Sequence, residues 1–137
     1  MTSPISKGVH HFGLSVLNLS ETQSFFETVL GFHQVGGVED YPAAFMSDGH
    51  IMITLWQVSN PDTATPFDRK NNVGLHHFAL HAESSADLDA LYDRLKSAEG
   101  VTIEFAPEVL GNGPAKHMMC TIPGGIRMEV ITLNSGS

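Results

Sequence analysis

The chain contains a version of itself. Residues 8–16 read GVHHFGLSV and residues 74–82 read GLHHFALHA, so the second copy starts 66 residues after the first (74 − 8) and keeps the His-His-Phe triplet. The offset holds downstream, where Phe25, Phe26 and Val29 fall on Leu91, Tyr92 and Leu95. Chance can supply one short match, but a register sustained over about 25 residues is the signature of a repeated structural unit.

Each half carries the same order of local signals. The opening nine residues alternate and are rich in apolar and aromatic types, which reads as a half-buried strand. A helix follows. In the first half Ser20-Glu21-Thr22-Gln23 has the form of a capping box, and Gly31 stops the helix after Leu30. In the second half Leu88, Leu91, Tyr92 and Leu95 sit at helical spacing and Gly100 closes the run. Short strand-like segments come next, clearest at 50–58 in the first half and at 101–105, 116–122 and 126–133 in the second. Residues 59–73, with two prolines and many polar side chains, read as a linker. The expectation is an α+β domain of two tandem βαβββ modules, about 8–58 and 74–133.

Composition narrows the function classes. A length of 137 residues fits one domain with one core. Seven basic against fifteen acidic side chains give a formal charge of −8, the wrong balance for tracking phosphates, so nucleic acid is not an expected partner. The single Cys120 has no internal partner, which fits a reducing compartment. The first residues lack a signal-peptide apolar run, and no stretch approaches the roughly 20 apolar residues of a membrane-spanning helix. A cytoplasmic protein without a membrane partner is the expectation.

The eight histidines carry the chemical argument. Strand residues alternate faces, so each His-His pair sends one ring to each side. Phe12, Leu14 and Val16 share an apolar face with His10, and Phe78, Leu80 and Ala82 share one with His76; both of these histidines are expected among the core residues. The other face carries His11, Gly13 and Ser15 in one copy and His77, Ala79 and His81 in the other. On the last strand Arg127, Glu129 and Ile131 take one face, Met128 and Val130 the other. A carboxylate within an apolar strand is costly to bury unless it is paired or coordinates a cation. Two imidazoles from equivalent strands and one such carboxylate, His11, His77 and Glu129, suit a divalent metal. His33 and His50 flank turns and are expected at the surface, whereas His81 and His117 are candidates for the cleft wall or for acid/base work.

In order and spacing these residues resemble the vicinal-oxygen-chelate superfamily, the glyoxalase, bleomycin resistance and extradiol dioxygenase group. The resemblance runs from about Gly8 to Leu133 and rests on His11 five residues before Val16, a helix ending in V-L-G-F, a Gly/Pro-rich linker, His-His-Phe-Ala-Leu, and P-G-G-I-R-M-E-V. It implies paired βαβββ modules whose curved sheets form a cleft around one divalent cation (iron, manganese, zinc or nickel), held by His11, His77 and Glu129, and a homodimer. Four positions depart from the family's specific activities. The acidic fourth ligand of glyoxalase I falls on Thr54, the repeat counterpart of Glu129. The Asp before the proline of the last turn is Ile122. The Tyr that dioxygenases and fosfomycin-inactivating enzymes carry four residues before that proline is Met119. A Ser-rich cation loop is missing at 111–114.

The resulting expectation is a metal-dependent enzyme acting on a small oxygenated substrate chelated through two oxygens, of lyase/isomerase or dioxygenase type. His81 or His117 would serve as base. Thr54, Met52, Trp56, Met119 and Arg127 would line the substrate, with Met118 as further wall. The alternative is a metal-free binding or drug-resistance protein of the same fold.

Overall fold

The computed structural model describes residues 1–134. Its elements run β1 (His11–Val16), α1 (Leu19–Thr28), β2 (His33–Val38), β3 (Ala43–Ser47), β4 (Met52–Gln57), β5 (Phe78–His81), α2 (Ser85–Lys96), β6 (Thr102–Val109), β7 (Lys116–Thr121) and β8 (Arg127–Thr132). This is βαβββ twice. The strands form two four-stranded sheets of the same topology, β1-β4-β3-β2 and β5-β8-β7-β6. In each, the first strand pairs parallel with the last and the remaining pairings are antiparallel. The register matches the repeat residue for residue: Gly13 lies opposite Thr54 and Ala79 opposite Glu129.

Helix α1 is capped differently from the sequence expectation. Asn18, rather than Ser20, is the N-cap, and its side-chain oxygen accepts the Glu21 N–H at 3.0 Å. A short amide two residues earlier takes the Glu21 N–H, the third-residue donor of a helix that starts at Leu19. The far end behaves as expected. Gly31 adopts φ of 78°, which lets the Phe32 N–H turn back to Phe26 O at 2.9 Å. Helix α2 starts on Ser84, whose hydroxyl accepts the Asp87 N–H at 3.1 Å.

One core serves both modules. Leu14, Val16, Phe25, Phe26, Ile53 and Leu55 from the first join Phe78, Leu88, Leu95, Met118, Met128 and Val130 from the second. The alternation of β1 is the one expected: Leu14 and Val16 are buried, Gly13 and Ser15 exposed. Across the junction the Phe12 and Phe78 rings meet at 5.2 Å. The junction is reciprocal. The β1 side faces Leu75, Gly124 and Ile126, and the β5 side faces Asp48, His50 and Ile51. Beta-1 and β5 therefore meet near their starts, and the residue preceding each junction phenylalanine is a histidine.

Two expectations need correction. His10 and His76 are exposed and do not join the core. The first strand of each module begins later than the alternation suggests, at His11 and Phe78, so these rings precede the sheet and no helix covers them. Met118 is core and not cleft wall: it is fully buried opposite Val130, on the face turned away from Met119.

Candidate metal centre

Glu129 is the centre of the open face of the second module. Residues in register on neighbouring strands share a face, and Ala79 on one side and Met119 on the other flank it. Its side chain is only 12 % exposed. His77 Nε2 stands 3.1 Å from Oε1, and His117 Nδ1 stands 2.6 Å from Oε2. The carboxylate is paired, as a half-buried charge must be, and its partners are two imidazoles rather than Arg127 or Lys116. Lys116 instead reaches Ser85 Oγ at 2.9 Å and Asp89 at 3.2 Å.

His117 is held firmly. The Phe105 ring lies 4.9 Å from it, and Glu108 Oε1 is 3.9 Å from its Nε2. His77 is oriented by its neighbour, with His76 Nδ1 at 2.8 Å from His77 Nδ1. The same contact recurs in the first module, His10 Nδ1 to His11 Nδ1 at 2.8 Å. In both pairs the Nδ1 atoms are engaged with each other, and in the second module the His77 Nε2 atom is left to meet Glu129. A hydrogen bond on one ring nitrogen fixes the direction of the other, which is how imidazole ligands are commonly oriented.

Of the expected metal ligands, the structure brings His77 and Glu129 into contact. His11 lies at the start of β1, beside the Phe12–Phe78 junction, with its own contact to His10. Among the described residues no three His, Cys, Asp or Glu side chains stand where together they could hold a metal ion. The donor types are those of two-His, one-carboxylate sites, and the pair already in contact is His77 with Glu129.

The other expected site residues divide. His81 is exposed and lines a cleft of about 590 Å³ with His50, Ile51 and Glu83. Thr54 is buried and accepts the Trp56 Nε1–H at 2.8 Å. Trp56 packs against Tyr41 and Phe45, with ring centroids at 4.9 and 5.8 Å. Gly13 makes this possible, because a Cβ there would stand 2.9 Å from Thr54 Oγ1 and 3.2 Å from Trp56 Nε1. Met52 is half-buried opposite His11, and Met119 is buried opposite Glu129. Arg127 is buried and belongs to a separate ion pair. Glu104 accepts from its Nε at 2.9 Å and from its Nη2 at 2.7 Å. That fork holds the Glu104 carboxyl below its usual range and raises Arg127 above its own. Partial desolvation, then the charges of His77, Arg127 and Arg69, lowers His76.

Sequence reasoning missed Glu104, Glu108 and Arg69. Strand β6 breaks its pairing with β7 between Ile103 and Phe105 and again between Phe105 and Glu108. Each break shifts the phase, so plain alternation cannot assign faces there. Two carboxylates four residues apart, Glu104 and Glu108, in an otherwise mostly apolar strand were the available signal.

Comparison with known proteins agrees with this architecture. The glyoxalase/bleomycin resistance protein/dioxygenase superfamily profile matches residues 8–130. A 2-epi-5-epi-valiolone epimerase from an Actinomyces species is 25 % identical over 156 aligned residues, covering 98 % of this chain and 84 % of that protein. A catechol-2,3-dioxygenase of Bacillus subtilis is 32 % identical over 100 residues, covering 70 % of this chain but only 33 % of the dioxygenase. The fold recurs in a glyoxylase/bleomycin resistance protein/dioxygenase domain from Frankia, with a TM-score of 0.80, 23 % identity and 96 % of each chain covered. It recurs again in a fosfomycin resistance protein of Listeria monocytogenes (TM-score 0.73, 16 % identity, 97 % and 95 % covered), solved with Mn(II) and 1S,2S-dihydroxypropylphosphonic acid. Members of this group thus include an epimerase, a dioxygenase and a resistance protein, and at least one holds a divalent metal. With a profile spanning nearly its whole length and the doubled βαβββ topology, this chain belongs to the glyoxalase/bleomycin resistance protein/dioxygenase superfamily.

Proposed function

We propose that the chain is a metal-dependent enzyme that holds a small substrate through two adjacent oxygens and moves a proton at the carbon beside them. The reaction is of the lyase/isomerase type. The observation that carries this reading is the Glu129 carboxylate between two imidazoles, His77 at 3.1 Å and His117 at 2.6 Å, on an open face. His77 and Glu129, with His11 from the neighbouring module, would hold the cation. A divalent metal bound there supplies Lewis-acid polarisation of a substrate oxygen, worth several kcal/mol of charge stabilisation.

The chain's own residues do the remainder. His117 fixes the Glu129 carboxylate and can pass a proton along that contact. His81, exposed in the cleft between the modules, is the candidate base that reaches substrate. Thr54, Trp56 and Met52 form the wall from the first module, and Met119 stands beside Glu129. The full-length similarity to an epimerase supports proton transfer over oxygen insertion, since the dioxygenase match spans a third of that protein. A homodimer in the cytoplasm, acting on a small molecule, belongs to the same reading; among the described residues no helix is long and apolar enough to cross a membrane.

The test is metal content by mass spectrometry of the purified chain, alongside exchange of the α-proton of hydroxyacetone into deuterated water. Stoichiometric metal that is lost in His11→Ala and Glu129→Ala, with exchange lost in parallel, is the expected result. Sub-stoichiometric metal untouched by either substitution would return the chain to the metal-free binding class. Oxygen uptake with catechols under Fe(II), without α-proton exchange, would replace isomerase by dioxygenase.

A further inference from the structure

Where the linker meets the second module stands a cluster of cations that the proposed chemistry does not use. The chain has only seven Lys and Arg residues and a formal charge of −8. Three of those seven, Arg69, Lys70 and Arg127, line one cleft of about 500 Å³ together with Asp68 and Thr121. Arg69 and Lys70 come from the linker, which folds back over the start of β8. With Asp68 and Glu104 as the carboxylates beside them, these three cations leave the cleft one positive charge in excess (3 − 2), a local potential that attracts an anion on an otherwise acidic protein.

The carboxylates facing these cations are spoken for. Asp68 Oδ1 accepts the Lys70 N–H at 3.0 Å, which closes the linker turn. Glu104 takes the Nε and one Nη2 hydrogen of Arg127, and Arg69 Nη1 lies 3.7 Å from it. A guanidinium has five N–H donors in a fixed fork. Two of them are committed to Glu104. Nη1 stands 3.5 Å from His76 Nδ1, a long and weak approach. The end-on edge of Nη1 and Nη2 therefore keeps donors for a further oxyanion. Because Glu104 fixes the guanidinium plane and only 9 % of the side chain is exposed, that edge is presented in one orientation.

Arg127 and Glu129 share a face two residues apart on β8, which places them roughly 7 Å apart along the strand. From this we infer that the linker cleft is an oxyanion subsite. It would receive a carboxylate or phosphate carried by the substrate, a few bonds from the two oxygens presented to Glu129 and His77. The inference rests on the proposed function for its link to a substrate, and it names the class: a small hydroxy- or oxo-compound bearing an anionic end. The first module cannot do this, since the counterpart of Arg127 there is Met52.

The experiment titrates inorganic phosphate and, separately, acetate into the full chain at low ionic strength, followed by amide chemical shifts. Metal content is measured on the same samples. The expected result is saturable binding that moves the amides of Arg69, Lys70 and Thr121. Binding weakens about tenfold in the Arg69→Gln/Lys70→Gln double variant, as two charged donors are lost, while metal content stays at the parent level. Tighter binding of phosphate identifies a phosphorylated substrate, and binding of acetate alone identifies a carboxylate. Arg127→Met leaves Glu104 unpaired and can unfold the sheet edge, so the exposed linker pair is the deciding variant. No binding of either anion, or binding indifferent to the double variant, overturns the subsite even when metal is present. Anion binding in the cleft without any metal overturns the proposed function and leaves the subsite standing.

Discussion

The two modules have one backbone plan and two different inner faces. Toward the core, equivalent positions are interchangeable: Leu14 and Leu80, Ile53 and Met128, Leu55 and Val130 all turn inward, and all but the half-buried Leu80 are fully covered. Toward the cleft they diverge. Where the first module has Gly13, Met52, Thr54 and Trp56, the second has Ala79, Arg127, Glu129 and Ile131. Phe45 opposite Thr54 becomes Met119 opposite Glu129. The first face is an aromatic wall with no ionisable group on its last strand, and the second is a row of imidazoles and carboxylates. Burial accepts any apolar side chain of suitable volume, so the core side keeps the fold through wide substitution. The face without a core has no such duty and is where the modules took separate roles.

The sharpest way to break that comparison is to exchange the two central positions. Glu129→Gln should lower metal affinity and turnover by at least about 100-fold, because a charged ligand is lost and two imidazoles lose their anchor. Thr54→Ala should leave metal affinity unchanged and loosen Trp56, visible in its fluorescence, since this is the chain's only tryptophan. Equal loss in both variants would mean that Thr54 itself takes part in holding the metal. His117→Gln should fall between, at about 10- to 100-fold, as an orienting partner and not a ligand. Metal titration by calorimetry on the three variants separates these outcomes.

How much of this division was legible in the sequence follows from its physics. The repeat and the alternation of β1, β4 and β8 located Glu129, His77 and Thr54 correctly relative to each other, because parallel pairing of first and last strand preserves the offset. His10 and His76 went wrong because alternation says which side a residue faces and not whether anything covers that side. Glu104 was invisible because the breaks in the β6–β7 pairing reset the phase. The contact of His117 with Glu129 depends on a rotamer, and no spacing rule carries that.

The next effect is on stability, and it asks whether the modules are one folding unit. Phe26→Ala in the first and Leu88→Ala in the second each empty a fully buried site. They should cost about 3–5 and about 2–5 kcal/mol respectively in denaturant titration. Because both side chains belong to one cluster, unfolding should stay a single transition in either variant. Two transitions, with one module surviving, would show that the shared core is not cooperative. Cys120, the counterpart of Met46 in the first module, offers an independent probe. Burial pushes its thiol up to about 12, so it stays protonated and poorly nucleophilic in the folded chain. Its labelling by a disulfide reagent at pH 8 should be slow in the parent and accelerate in both core variants to the same degree that their unfolding populations rise.

The smallest effect concerns the Glu104–Arg127 pair, which has no equivalent in the first module. The Arg127 guanidinium keeps the Glu104 carboxyl below the value of about 4.5 that it has in an unfolded chain. A carboxylate with a lowered folded pKa stabilises the fold while it is ionised in both states, that is, above its unfolded pKa. The contribution disappears as acid takes the solution down through the folded value. Glu104 is about one-third exposed, so solvent screens the pair and about 0.5 kcal/mol is the expected scale. Glu104→Gln should therefore unfold at lower urea than the parent at pH 7, and the two midpoints should converge as the pH is lowered past 4. Hydrogen exchange adds the comparison between modules: on acidification amides of β6 and β8 should lose protection in the parent, with β2 and β4 unaffected at the same pH. A midpoint difference that persists unchanged at low pH would mean that Glu104 acts through packing, and the contrast between the two inner faces would then owe nothing to this ion pair.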